Sequence, residues 1–390
     1  MSKNTLGPLS HIKVLDLSRV LAGPWSTQML GDLGAEVIKI ENPGGGDDTR
    51  HWGPPFIENA DGSKGDAGYF LCTNRNKESL PLDISSEEGQ AKIRKLVLEC
   101  DILVENFKVG GLKKYGLDYD SLSNLNPGLI YCSITGFGQT GPYADRPGYD
   151  FLIQAMGGMM SITGETTEHD GGGPQKVGVA IADLMTGMYA SVGILAALTH
   201  RDRTGEGQYI DLALLDCQMA MLANQNMNYL VGGKAPGLMG NAHPNIVPYQ
   251  SFQTKDGHII LAVGNDGQFA RFCRLIHRPW ATDPQFSTNA ARVENRKALV
   301  ALINPVMAGK TTSDWITALE EVNVPCGPVN TIEQAFNDPQ VIHRGLKKQM
   351  TRADGIIIPT VANPINFSKT PVQYKKAPPE LPHTDDLTDD

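Results

Sequence analysis

The chain has 390 residues, of which 41% are hydrophobic, 20% charged and 7% aromatic. That profile fits a globular protein with more than one core and excludes a disordered or fibrous one. A net charge of -9 argues against nucleic acid as the main partner, while leaving room for a local basic patch that holds a small phosphorylated molecule.

The first residues, "MSKNTLGPLSHIKVLDLSRV", lack a basic stretch followed by a long apolar run, and no uninterrupted apolar stretch reaches the roughly 18 residues of a membrane span. A cytoplasmic protein without a membrane partner is expected. "HIKVLDLS" (11–18) and "AEVIKIE" (35–41) read as buried strands with a short helix at about 27–32 between them. Helical spacing of Ile93, Leu96 and Val97 predicts a helix over 86–100, followed by a third strand at 101–104 and a fourth in "GLIYCSITGFG". Alternating strands and helices predict an α/β fold with a Rossmann-like, mainly parallel sheet. A long helical stretch runs to about residue 231, and the turn-rich "GGKAPGLMGNAHPNIVPYQSFQTKDG" marks a change of composition. Asp256-Gly257 between apolar runs predicts a hairpin, with helices over 269–275, 298–307 and 312–322. The expected division is a large domain over 1–225, a smaller α+β domain over 226–330, and a segment over 331–390 that returns to the large domain. The end from 371 onward is proline-rich, then acidic, and its last residues are expected to be mobile.

Six cysteines, Cys72, Cys100, Cys132, Cys217, Cys273 and Cys326, stand singly without C-x-x-C spacing. This predicts reduced thiols and no metal site. The histidines His51, His169, His243 and His343 sit in turn-like contexts without a serine or cysteine signature, so a hydrolytic triad has little support. "ENPGGGDDTR" (41–50) has neither the Gly-Lys-Ser/Thr ending of a phosphate loop nor G-x-G-x-x-G spacing, and reads as a turn. "ENFKVGGLKKYG" (105–116) clusters Lys108, Lys113 and Lys114 with Phe107 and Tyr115. It is either a solvated loop or a place where cations meet phosphates beside an aromatic ring.

"KVGVAIADLMTGMYASVGILAAL" (176–198) holds a single acid, Asp183, where a turn hands over to a helix reaching about residue 200. Gly187, Ala190, Gly193 and Ala197 form a small-residue stripe that permits close packing of that helix. Two readings of Asp183 stand side by side. It caps the helix, or it is a carboxylate nucleophile held anionic by the helix start, able to attack an activated acyl carbonyl and form a mixed anhydride.

"LDLSRVLAGPWSTQMLGDLGAEVIKIENPGGGDDTRHWGPPF", "NRNKESLPLD", "LVENFKVGGLKKYGL" and "VGVAIADLMTGMYASVGILAAL", continuing through "VPCGPVN" (324–330) to "HTDD" (383–386), resemble the class III CoA-transferases, the carnitine/formyl-CoA transferase family. The resemblance implies that Asp183, in an A-D-x-x-x-G segment ending at Gly187, is the nucleophile. It implies that coenzyme A, as acyl-CoA substrate, meets Leu21 and Ala22, Leu82, Asp83, Ile84 and Ser85, Asn106, Phe107 and Lys108, Lys114, and Arg146, Pro147, Gly148 and Tyr149, with Asn42 at the position of a nucleotide contact. An intertwined homodimer and a carboxylic-acid co-substrate are further implications. Leu21 stands where the formyl-CoA/oxalate branch carries glutamine, Asn42 where that branch carries arginine, and "GNAHPNIVP" (240–248) replaces its glycine-run loop. "NAHPNIVPYQSFQTKDG" resembles instead the branch that moves CoA from succinyl-CoA to dicarboxylates. An acyl-CoA racemase shares the fold but needs a histidine where this chain has Tyr149, and a phenol near its ordinary pKa of about 10 is a poor base. A noncatalytic CoA-binding protein, and intramolecular migration of CoA within one diacid through the same aspartate, are the further alternatives.

Overall fold

The computed structural model describes residues 6–381, so the "HTDD" match and the last residues of the acidic end lie outside the described residues. Six strands form one sheet: β1 (Lys13–Asp16), β2 (Glu36–Glu41), β3 (Glu78–Pro81), β4 (Ile102–Glu105), β5 (Ile130–Thr135) and β6 (Tyr209–Ala213). They lie side by side in the order β3-β2-β1-β4-β5-β6, and every neighbouring pair is parallel. This is the strand order of a doubly wound Rossmann sheet, which reverses direction between β1 and β4. The edge strands β3 and β6 were not anticipated. Their patterns are half-buried rather than uniformly apolar, so hydrophobicity alone does not mark them.

Alternation sends side chains to both faces. Val14, Ile102, Val104, Ile130 and Cys132 join one core with Leu30, Ala190 and Ile194, while Leu15, Leu103 and Tyr131 join another with Ile93 and Val97. Helix α1 (Ala22–Asp32) begins five residues earlier than its expected start at about 27. The breaker that concealed this is Pro24, which sits in the first turn, where no backbone N–H is required. Helix α2 (Glu87–Val97) is capped by Ser86. Helix α3 (Asp150–Met156) precedes the 24-residue α4 (Ile181–Thr204), and α5 (Leu214–Met221) and α6 (Asn224–Gly232) follow β6. The single expected stretch to residue 231 is thus broken in two, with Ala223 left-handed at φ 46° between the halves. Helix α4 also meets the length and composition of a membrane span, which a search for uninterrupted apolar residues passed over. Its Ala182, Ala190, Ile194 and Leu198 are packed in the sheet's core.

The chain divides into two compact units. One holds the residues up to Met159, Val177–Gly232 and those from Pro339 onward; the other holds Met160–Lys176 and Gly233–Asp338. The second unit therefore starts at 233, after α6 has ended, rather than at 226, and ends at 338 rather than 330. It also takes the segment 160–176 from inside the expected large domain. Within it, β7 (Tyr249–Gln253) and β8 (His258–Ala262) form the expected hairpin, and β9 (Cys326–Pro328) completes an antiparallel three-stranded sheet. Helices α7 (Asp266–Leu275), α8 (Arg296–Met307) and α9 (Thr312–Glu321) supply Phe269, Phe272, Leu299, Ile303, Trp315 and Leu319 to its separate core. In the first unit, the C-terminal segment is tied back by Asn363 to Asp32 and by the Lys376 carbonyl to the Asn76 amide.

Candidate active site

In a sheet that reverses order between β1 and β4, loops leaving the carboxyl ends of those strands diverge and open a crevice. A cavity of about 210 Å³ lies there. The loop after β1 contributes Leu21 and Ala22, the loop after β4 contributes Asn106, Phe107 and Lys108, and Asp183 reaches in from the first turn of α4. Arg146, Pro147, Gly148 and Tyr149 line the same cavity. Gly148 packs backbone to backbone on Gly136 at the end of β5, where any Cβ would collide. The sequence's scattered candidates are therefore neighbours in space.

A second cavity, of about 140 Å³, takes Asn42 from the end of β2 and Leu82, Asp83 and Ile84 from the end of β3. Arg19 and Phe107 line both cavities, with the Arg19 guanidinium 5.4 Å from the Phe107 ring centre. Two candidates line neither. Ser85 is bound to the Asp83 carboxylate through its amide and hydroxyl, and the Lys114 ammonium rests 4.5 Å over Tyr115. Arg19 was missed because one exposed arginine after a strand carries no pattern; Asn106 marks it, accepting from the Arg19 amide at 2.9 Å and donating to its carbonyl at 2.7 Å. Among the described residues no group of metal-binding side chains occurs.

Asp183 does not cap its helix. Ala180 is the N-cap residue and has no side-chain cap; the Ala182 amide instead donates to Asp150 on α3, at 2.8 Å. Asp183 is thereby left without the bonds that would have lowered its pKa. Burial, with the Asp150 charge adding to it, pushes its carboxyl up to about 7. A half-buried carboxylate that has not found a partner is costly as structure and useful as chemistry. Replacing Asp150 by asparagine keeps an acceptor for Ala182 and removes the like charge. The acid limb of kcat/KM is expected to move to lower pH by roughly a unit or less, read from pH–rate profiles of the two proteins.

Position i+4 on α4 explains how Asp183 comes to this place. Gly187 faces α1, and a Cβ there would lie 2.6 Å from the Ala22 carbonyl oxygen and 3.0 Å from the Trp25 ring. The missing side chain lets the two helices cross in contact. Asp183, one turn earlier on the same face, then lies beside the opening of α1. Ser26 and Ser191 meet at 3.1 Å farther along the crossing. Gly193 is different: a Cβ there would find only ordinary contact with Ile210, so of the stripe's two glycines only Gly187 is required by a close approach.

Beneath the cavities lies a set of buried charges. Lys39 pairs with Asp47 at 3.0 Å, and Lys77 with Asp16 at 3.0 Å, all four side chains fully buried. Arg50 forms a fork on Glu41 at 2.8 and 2.7 Å. Burial opposes ionisation of Asp16, but Lys77 and Lys39 outweigh it and hold the carboxyl at about 2; burial lowers Lys77 to about 8. Above this layer Val20 has φ 70°, a left-handed conformation that costs a β-branched residue about 1–3 kcal/mol. On the far side of the crevice buried Glu105, raised to about 7 by desolvation, accepts from the Phe107 amide at 2.7 Å and so fixes the loop after β4.

Comparisons with known proteins identify the family. The model of CoA-transferase family III matches residues 9–384. A succinate–glutarate CoA-transferase of Agrobacterium fabrum is 54% identical over 97% of this chain and 94% of its own length. A succinyl-CoA:glutarate CoA-transferase of Homo sapiens is 43% identical over 97% of this chain and 84% of its own. A crystal structure of a CaiB/BaiF family protein from Brucella suis superposes with a TM-score of 0.85 at 51% identity, covering 97% of each chain. A doubly wound sheet whose crevice gathers the matched motifs around Asp183, together with this family match across nearly the whole sequence, identifies the chain as a member of CoA-transferase family III.

Proposed function

We propose that the protein moves CoA from succinyl-CoA to a dicarboxylic acid of the glutarate class, with Asp183 as the covalent nucleophile. The observation that carries this reading is the position of Asp183: a carboxylate without a hydrogen-bonded partner in the cavity lined by the CoA motifs. The substrate class rests on the relatives named for succinyl-CoA and glutarate. The nucleotide end of CoA occupies the cavity containing Asn42 and Leu82, and the thioester end reaches Asp183, with Arg19 and Phe107 as the shared wall. Lys108 and Arg146 provide positive charge for the phosphates at the mouth.

The Asp183 carboxylate adds to the thioester carbonyl and the carbon–sulfur bond breaks, leaving a succinyl–aspartyl anhydride and CoA thiolate. The thiolate attacks the aspartyl carbonyl and releases succinate, giving an aspartyl-CoA thioester. The incoming carboxylate then takes the aspartyl carbonyl, expelling thiolate, which attacks the new acyl carbonyl and frees Asp183. Each bond broken is matched by one formed, so the acyl activation is conserved as long as water is kept out.

Exposed apolar side chains accompany this site: Phe151 and Leu152 on α3, Val192 on α4, and Tyr229, Leu230 and Val231 on α6 are 43–79% exposed. So large an apolar surface calls for cover, and a second copy of the chain, intertwined as in the family, supplies it. The test of function is intact-protein mass spectrometry after mixing with succinyl-CoA, with hydroxylamine trapping and glutarate as acceptor. A hydroxamate on Asp183 together with glutaryl-CoA is the expected result; CoA binding without any acyl exchange would make the chain a noncatalytic binder.

A further inference from the structure

Six polar backbone groups around the left-handed Val20 are bonded to side chains of the surrounding strands and loops. The Ser18 carbonyl accepts from Lys39 at 2.8 Å, and the Ser18 amide donates to Asp16 at 3.0 Å. The Arg19 amide and carbonyl are both bonded to Asn106. The Val20 amide donates to both oxygens of Asp47, at 3.3 and 3.2 Å, and Lys77 bonds the Pro24 carbonyl at 3.0 Å. The residues so held run directly into Leu21 and Ala22, the opening of α1, where no side chain caps the helix and where the cavity with Asp183 lies.

We infer that the buried Lys39–Asp47 ion pair is a positioning device for the transfer site: it holds Val20 in the left-handed turn that presents Leu21 and Ala22 to the reacting end of the cavity. The inference rests on the reading of that cavity as the transfer site. Two features separate this role from simple core stability. A buried pair is weak evidence of stabilisation by itself, because desolvation offsets much of its attraction. Moreover, Asp47 spends two of its contacts on a strained valine that the fold would hold more easily if it were glycine. Without the pair Asp16 still has Lys77 and Glu41 still has Arg50, although Lys39 also lowers both carboxyls.

The test removes both charges together, as Lys39→Met with Asp47→Asn, so that neither partner is left alone. Circular dichroism and thermal unfolding check the fold, and Asp47→Asn alone serves if the pair variant does not fold. A crystal structure of the variant should show Val20 released to negative φ. Its kcat for succinyl-CoA and glutarate should fall at least tenfold; Lys39 and Asp47 also line the cavity containing Asn42, so a change in KM is ascribed to that wall and only the kcat is read for the turn. Adding Val20→Gly, for which the left-handed turn is unstrained, should recover most of the lost kcat. Val20 still at φ near 70° overturns the inference whatever the activity. So does a loss of kcat that Val20→Gly fails to recover. Inactive wild-type protein would instead reject the functional reading, and the Val20 conformation would still decide whether the pair holds the turn.

Discussion

Asp183→Asn is expected to abolish CoA exchange, with a loss of at least about 10³-fold in kcat, while the affinity for CoA changes little. The amide is nearly isosteric but cannot form the anhydride, and none of the contacts in the nucleotide cavity involves residue 183. Exchange between labelled succinate and succinyl-CoA reports the first quantity and calorimetric titration with CoA the second. Substantial residual exchange would remove Asp183 from the chemistry. The same variant has a second signature. An acid pushed up to about 7 in the folded protein from an ordinary 3.8 is protonated without penalty at low pH and costs stability as it ionises between those values. Asp183→Asn is therefore expected to melt at a higher temperature than wild type at pH 8, with the difference closing below about pH 4. A residue kept for packing would give the opposite order at pH 8.

The fold and the site were legible in the sequence to different depths. Strands β1, β2, β4 and β5 announced themselves because they are buried on both faces and read as apolar runs. The half-buried edge strands did not, and strand order, which creates the crevice, is not a property of any segment. The A-D-x-x-x-G spacing gave both the acid and the glycine, but not the reason for their pairing, which lies in the Ala22 carbonyl on another helix. Of the two readings of Asp183, the cap fails for a similar cause. Asp183 stands at a helix start in the sequence, whereas Asp150, 32 residues earlier, is brought to the Ala182 amide by the packing of α3. Buried Lys39, Asp47, Asp16 and Lys77 were invisible as a group: lysine and aspartate in a linear reading default to the surface, and it takes the parallel register that sets Lys39 opposite Asp16, with the turn that returns Asp47 to Lys39, to bring them beside the loop.

Gly187→Ala is the substitution that separates position from chemistry. Alanine is the better helix former by about 1 kcal/mol, so an isolated α4 would gain from it. In the folded protein the new methyl group would stand 2.6 Å from the Ala22 carbonyl oxygen and 3.0 Å from Trp25, and backbone cannot yield as a flexible side chain does. The helices must separate, at a cost of about 1–3 kcal/mol for overpacking, which outweighs the gain in propensity. Because Asp183 precedes Gly187 by one turn on the same face, the separation carries the carboxylate away from the opening of α1. A displacement near 1 Å costs about 10²-fold in rate where reacting atoms must be aligned. The expected result is a kcat lowered by roughly 10–100-fold, a modest fall in melting temperature, and an unchanged affinity for CoA, whose nucleotide end we have proposed to lie at the ends of β2 and β3. Gly193→Ala, on the same helix but with ordinary contact distances to Ile210, serves as the matched control and should leave kcat within about twofold while preserving the propensity gain. If Gly187→Ala behaves like Gly193→Ala in both kcat and melting temperature, the close crossing of α1 and α4 is not what sets Asp183 in place.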